Sequence, residues 1–332
     1  MDFQLTPEQD GFAQSLGELM ARADSVAAAR AWAAGDAEPG LALWRRLAEQ
    51  GVNGLVVPEE QGGLGGTAVD LVVAFEALGH HLAVGPWIES AAYLALGLEG
   101  DDLAAVAEGA VATVAVPPLV PYALDADVAE KVYVPSVGGG FETVADAPSS
   151  TTGEVLRSVD TTRRLFSIQP EPHGGRAASE ASGRTRPDPT DAFDLAVLAC
   201  SAELLGCGER LLADSVDYVK QRKQYGRTIG SYQAIKHALA DVRIALDFAR
   251  PLVLGAALDQ DNRSRSVSAA KVAAGDAAYR ASRVALQVHG AIGYTAEFDL
   301  GLWMNRVRAL VGAWGGAGYH RGRIADSLTR ER

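Results

Sequence analysis

Two long parts of this 332-residue chain repeat apolar side chains at helical spacing, and a shorter part between them does not. In the carboxy-terminal part, Val197, Cys200, Leu204, Gly208, Leu211 and Leu212 recur mostly at three- and four-residue steps, so they share one helical face. Ile235, Leu239, Val242 and Leu246 repeat that pattern, with Ser231 as the expected N-cap. Gly226 and Gly230 lie between the two helices and are expected to take the positive φ that turns one into the next. A further helix is predicted from a cap at Ser266 through Ala270, Ala273, Ala277, Ala281 and Val284 to a stop near Gly290. Pro251, inside or ending the preceding helix, should kink or terminate it, at about 3 kcal/mol if interior. Alanine-rich faces permit close approach, so Asp191 to about Arg323 reads as a bundle of about four helices.

The first 108 residues are also helical in pattern. Thr6-Pro7-Glu8-Gln9 opens a helix with Thr as N-cap, Pro at the first position and an acid near the positive dipole end. A second helix covers Leu41–Gln50 and stops near Gly51, ahead of the loop Pro58-Glu59-Glu60-Gln61-Gly62-Gly63-Leu64-Gly65. His80 and His81 read as a helix end running into a loop, with no ligand set around them. Between about Val111 and Ile168 the character changes. Val111–Val116 and Lys131–Val134 are short β-branched runs bounded by Pro and Gly, which predicts strands. Residues 169–190 are polar and rich in Gly, Ser and Pro, and read as a linker or surface loop. The expected division is a helical domain over 1–108, a small β domain over 109–175, a linker over 176–190 and a helical bundle over 191–332.

Composition narrows the class. A formal charge of −12 argues against a nucleic-acid or anionic-membrane surface. No apolar run reaches the roughly 20 residues of a membrane span. The acidic start MDFQLTPEQD is unlike a signal peptide. Cys200 and Cys207 lie about 10 Å apart along one predicted helix, too far to bridge, so both are expected to be reduced core residues of a cytoplasmic protein. No CxxC, HExxH or P-loop motif is present, which leaves metal and nucleoside-triphosphate chemistry without sequence support.

The candidate chemistry lies in the turn Arg222-Lys223-Gln224-Tyr225-Gly226-Arg227-Thr228-Ile229-Gly230-Ser231-Tyr232-Gln233. Positive charge beside free amides suits a phosphate, and an aromatic with a glutamine suits a base or ribose. The whole string, followed by Ile235-Lys236-His237 and Leu239-Ala240-Asp241, resembles the signature of the acyl-CoA dehydrogenase family. That resemblance implies a mostly helical fold with a small β middle domain and a four-helix carboxy-terminal bundle. It also implies FAD as cofactor and oxidation of acyl-CoA thioesters between the α and β carbons. In the family this turn reaches across a dimer interface to the adenosine diphosphate half of a neighbour's FAD. Arg222, Tyr225 and Gln233 fall on the contacting positions, with Gly226 between them.

Other segments are similar to the family as well. Trp44, Leu47, Ala48, Gly51, Val52, Pro58, Glu59, Gly62, Gly63 and Gly65 fit its amino-terminal pattern. The string Gln287-Val288-His289-Gly290-Ala291-Ile292-Gly293-Tyr294-Thr295-Ala296-Glu297 resembles a second FAD-diphosphate turn, with Ala291 where the family has glycine. An alternative for Gly290 is a plain helix C-cap. The middle part departs from the pattern, because Val116-Pro117-Pro118-Leu119-Val120-Pro121 stands where the family has flavin and substrate contacts.

The implied reaction needs a carboxylate to remove the α proton. At one family position this chain has Trp314-Gly315, and Leu300 through Ala325 contains no Asp or Glu. The other position falls on Ala196; the nearest acid, Asp194, is about 200° away around a helix and is a weak candidate. The resemblance therefore implies a subunit of a heteromeric, steroid-type enzyme, an α2β2 assembly in which a homologous partner carries the base and this chain completes its FAD site. A second flavoprotein, electron-transfer flavoprotein, is the implied acceptor. A self-sufficient homo-oligomer with a displaced base, and a non-catalytic scaffold, are the two alternatives.

Overall fold

In the computed structural model, residues 3–136, 140–145, 155–168, 176–177, 189–295 and 298–330 are described. Helices α1 (Pro7–Arg22), α2 (Ser25–Ala33), α3 (Glu38–Glu49) and α4 (Ala68–His80) form the first part. A π-helical stretch Glu89–Leu94 runs into α5 (Ala95–Gly97), and α6 (Gly100–Ala107) closes it. The expected start holds: Gln9 N donates to Thr6 Oγ1 at 3.3 Å and Thr6 N donates to Gln9 Oε1 at 3.1 Å, a reciprocal capping box. His80 ends α4 and His81 is its C-cap residue.

The middle part is two small sheets. Strands β1 (Ala112–Val114), β2 (Tyr122–Leu124), β3 (Lys131–Pro135), β4 (Phe141–Ala145), β5 (Val155–Leu156), β6 (Leu165–Ser167) and β7 (Arg176–Ala177) assemble as β1-β3-β4-β7 and β2-β6-β5. Lys131 pairs with Ala112 in the parallel β1–β3 ladder, and Tyr122 faces Ser167 in the antiparallel β2–β6 pair. β7 lies inside the stretch read as a linker. The rest of 169–188 lies outside the described residues, as do Ala296 and Glu297.

The last part holds α7 (Pro189–Gln221), the two-residue strands β8 (Lys223–Gln224) and β9 (Arg227–Thr228), α8 (Gln233–Leu258), α9 (Arg263–His289), α10 (Leu300–Gly312) and α11 (Ala317–Arg330). Helices α7, α8 and α9 pack together, with α10 and α11 against α9, as the Ala-rich faces allow. One expectation fails and another is narrowed. Ser266 is not a cap: its hydroxyl bonds Asp259, whose other oxygen accepts from Asn262 N at 2.9 Å, and α9 starts three residues earlier. Pro251 lies inside α8, one of its two expected places, and does not terminate the helix. The flanking turn is anchored instead, as Arg250 bridges Glu76 of α4 at 2.6 Å and Glu209 of α7 at 2.8 Å.

The parts interlock. A Cβ on Gly206 would lie 2.0 Å from Glu76 O, and one on Gly79 would lie 2.1 Å from Glu203 O, so α4 and α7 meet backbone to backbone. Arg306 of α10 is buried and donates to Asp160 Oδ2 at 2.6 Å, Glu203 Oε1 at 2.8 Å, Thr162 Oγ1 at 2.8 Å and Ala83 O at 3.1 Å. One side chain thus ties the bundle to both other parts. Cys200 and Cys207 are free and buried, as read from their spacing.

Candidate functional site

The corner between α7 and α8 is a hairpin, with Gln224 paired to Arg227 around Tyr225 and Gly226. Both turn residues have positive φ, 53° and 80°, the combination a type I′ turn demands. Glycine supplies it freely at 226, whereas a tyrosine in the left-handed region is uncommon and marks a constrained position. Tyr225 is 93% exposed. Gly230 does not take positive φ. It is small for another reason, since a Cβ there would stand 2.9 Å from Val219 O. Ser231 is likewise not the cap: its hydroxyl donates to Thr228 O at 2.7 Å, and Tyr232 precedes the helix without a side-chain cap bond.

The second motif is brought beside the first. Val288 packs with Val219 and Ile229 in a small separate core, and His289 stacks on Tyr218 at 4.2 Å. Gln287 and Gly290 remain on the exposed side next to this core. Gly290 has φ 63° and ψ −138°, a conformation open to glycine alone, and ends α9 where the sequence placed the stop. Ala291 follows in a short 3-10 turn and is exposed, so its methyl is not sealed against protein.

These groups fit the adenosine diphosphate half of FAD. Arg222 is exposed, and its side chain makes no ion pair among the described residues. The first turn of α8 has no acid and no capping side chain, so its N–H groups present unneutralised positive potential. Gly226 and Gly290 face open space, where backbone can approach a ligand closely. Tyr225, Gln233 and Gln287 are exposed for stacking and hydrogen bonding.

A separate cavity of about 350 Å³ opens where all three parts meet. Leu119, Val120 and Pro121 from the divergent middle segment line it, together with Ala309, Ala313 and Trp314 after α10. Trp314 therefore places an indole in this cavity at the position where the resemblance implies a base. Its turn is tightly held: Lys271 Nζ donates to Leu310 O at 2.9 Å and Gly315 O at 3.4 Å, and His320 Nε2 lies 3.0 Å from Trp314 O. Asp194 lies elsewhere, 1% exposed, with Arg323 at 2.7 Å on one oxygen and the Ser264 hydroxyl on the other. Ala196 is buried in the core.

Sequence reasoning missed Glu89, the acid that does line the cavity. It is 2% exposed and 3.9 Å from Arg163. Burial pushes its carboxyl up, and the Arg163 charge only partly opposes this. The signal was present as an acid inside the apolar run Trp87-Ile88-Glu89-Ser90-Ala91-Ala92-Tyr93. Its π-helical setting, often found at functional sites, was not readable from spacing.

Helical, sheet and bundle parts in this order, with a nucleotide-fitting turn on the bundle surface, define a flavin-dependent dehydrogenase scaffold. Residues 6–98 match the acyl-CoA dehydrogenase N-terminal domain and residues 189–329 the C-terminal domain, and the chain belongs to the acyl-CoA dehydrogenase family. Family members are FAD-binding flavoproteins. The chain is 32% identical over 311 residues to acyl-CoA dehydrogenase IpdE2 of Mycobacterium tuberculosis, covering 91% of this chain and 92% of that protein. Its fold is also that of the ChsE4-ChsE5 complex from the same organism, with a TM-score of 0.78 at 24% identity, covering 99% of each chain. The Tcur3481-Tcur3483 steroid acyl-CoA dehydrogenase variant superposes with a TM-score of 0.79 at 22% identity, covering 98% of each. At such identities these two likenesses are of fold. Among the described residues no helix is long and apolar enough to cross a membrane, and no three acidic, His or Cys side chains group to hold a metal.

Proposed function

We propose that this chain is a subunit of a heteromeric FAD-dependent acyl-CoA dehydrogenase and completes the FAD site of a homologous partner in an α2β2 assembly. The observation that carries this reading is the exposed corner at Arg222, Tyr225 and Gly226. Groups suited to a dinucleotide stand exposed on the surface of the bundle, where a second chain can cover them. Arg222 and the α8 N-terminus bind the diphosphate, Tyr225 and Gln233 orient the nucleoside, and Gln287, Gly290 and Ala291 close the second side. FAD, when bound, supplies the hydride acceptor for α,β-dehydrogenation of the acyl thioester. An exposed apolar stripe on α8, Ile244, Phe248 and Leu252, supports burial of this bundle face by a partner.

The α proton is taken by the partner's carboxylate in this reading, because Trp314 and Ala196 hold the two positions the family uses. A small middle domain over 109–175 and a bundle over 191–332 fit such a division of labour. The steroid acyl-CoA dehydrogenase among the fold neighbours supports a steroid-type acyl-CoA as substrate class, and electron-transfer flavoprotein is the acceptor we infer. The test is to purify the chain alone and with a homologue that carries the family glutamate, recording flavin absorbance and native mass. A colourless single chain and a yellow pair of two-plus-two mass are expected. A single chain that holds FAD and dehydrogenates an acyl-CoA overturns the reading.

A further inference from the structure

A second cavity, of about 510 Å³, shares no residue with the FAD corner or with the cavity where the three parts meet. Its size falls in the range of small-molecule sites, roughly 300–1,000 Å³. Three segments frame it: residues 3–6 leading into α1, the first turn of α4, and the junction of α8 with α9. The wall divides by chemistry. Leu5, Val69, Leu254 and Ala257 are apolar, and Phe3 and Leu258, at 40% and 43% exposure, leave the apolar side open to solvent. Gln260 and Arg263 supply a polar side from the α8–α9 junction. No Asp or Glu lines this cavity among the described residues, in a chain with 42 acids and a net charge of −12.

The cation here has nothing to neutralise it. Arg263 is half-buried and makes no hydrogen bond or ion pair among the described residues. The acids nearby are held by other groups. Asp70 accepts from Thr67 N at 2.7 Å and from Gln9 Nε2 at 2.9 Å. Asp259 accepts from Asn262 N at 2.9 Å and from the Ser266 hydroxyl. Asp261 is exposed and does not line the cavity. The first turn of α9, which Arg263 opens, contains no acid. Withdrawing a guanidinium from water is costly unless an anion meets it. Its planar fork matches a carboxylate through two parallel bonds. One cation fixes the charge of the ligand, because a polyanion would turn its surplus charge toward leucine and valine side chains. We infer that this cavity binds a monocarboxylate with an apolar body, its head on Arg263 and its body against Leu5, Val69, Leu254 and Leu258. The inference is independent of the trans-subunit reading, since none of these residues takes part in it.

The probes are octanoate, 1-octanol and octylammonium, chains of equal length that differ in the charge of the head. Each is titrated into the full chain with labelled Leu and Val methyl groups, followed by NMR. Octanoate is expected to shift the methyls of Val69, Leu254 and Leu258 and to bind about tenfold tighter than 1-octanol, the scale of a charge-assisted bond. Octylammonium, repelled by Arg263, should bind more weakly than either. Arg263→Gln should erase the preference, weakening octanoate about tenfold while leaving 1-octanol within about twofold. If that variant fails to fold, Leu258→Asp at an exposed position serves in its place. Its carboxylate should weaken octanoate by a similar factor without weakening octylammonium. Equal affinities for octanoate and 1-octanol in the wild-type chain would overturn the inference. So would shifts confined to Leu119, Val120 and Leu165 of the other cavity, or binding of none of the three probes.

Discussion

Arg306 Nε donates to Asp160 Oδ2 at 2.6 Å, with both side chains no more than 2% exposed. The arginine belongs to α10 and the aspartate to the turn before β6, so this bond locks the bundle to the sheet part. Thr162 completes the aspartate's shell, its N–H and hydroxyl donating to Oδ1 at 2.9 and 2.7 Å. Burial pushes the Asp160 carboxyl up, but Arg306 and Thr162 outweigh it and hold it below the ordinary value of 3.8.

Removing the charge at Asp160 leaves the buried Arg306 guanidinium with Glu203 as its one remaining counter-charge among the described residues. Asp160→Asn should therefore lose about 3–5 kcal/mol of stability, read as a fall in the urea midpoint. The pH dependence has a defined sign. A depressed folded pKa gives stability that is present above 3.8 and lost as pH falls below it. The variant's acid limb should be shallower than the wild type's.

His320 behaves in the opposite chemical sense. Burial lowers its pKa from 6.5 to about 4, with the Lys271 charge adding to the effect. The ring is held at both nitrogens, with Nε2 3.0 Å from Trp314 O and Nδ1 3.2 Å from Ser268 Oγ, whose own proton goes to Ser264 O at 2.7 Å. Stability from this group is complete above pH 6.5 and is lost as pH falls toward about 4, because the unfolded chain takes up the proton first. His320→Gln should flatten the melting temperature between those limits. His81, also lowered to about 4 by burial, leaves part of the slope in place.

The α4–α7 contact leaves no room for a methyl. Gly206→Ala puts a carbon where Glu76 O and His80 N lie within 2.0 and 2.7 Å, and backbone atoms cannot swing aside as a side-chain tip can. A loss of about 1–3 kcal/mol is expected from forced separation of the helices, despite the gain in helix propensity. A melting temperature at or above the wild-type value would show the contact to be looser than described.

Arg222→Ala should separate cofactor holding from folding. The side chain is exposed and makes no ion pair among the described residues, so the melting temperature of the chain alone should change within about ±0.5 kcal/mol equivalent. Flavin content of the assembled complex should fall by about tenfold or more, the scale of one charge-assisted phosphate contact. Unchanged flavin absorbance would remove Arg222 from the proposed site.

Much of this molecule was legible in one dimension. Thr6 and Gln9 announced the first helix, Gly290 the end of α9, and the run Arg222–Gln233 the corner, because caps, turns and periodicity are local and act within a few residues. Local rules also misled where a distant partner competed. Ser231 and Ser266 carry good capping side chains, yet Thr228 O and Asp259 take their hydroxyls. Pro251 lies inside α8 without terminating it, and Arg250 beside it bridges to Glu76 and Glu209.

By itself, then, the sequence determined the helical–sheet–helical order, the family, and the turn that carries the FAD-type string, since each is written in short patterns that need no neighbour. Only the tertiary structure decided that Gly79 and Gly206 bring two helices into backbone contact, and that Arg306 joins three parts. The same holds for Glu89 and Trp314, which are 225 positions apart and share one cavity. The physical reason is common to all of these. A glycine, an arginine or an acid inside an apolar run has many possible roles, and only the groups packed against it select one.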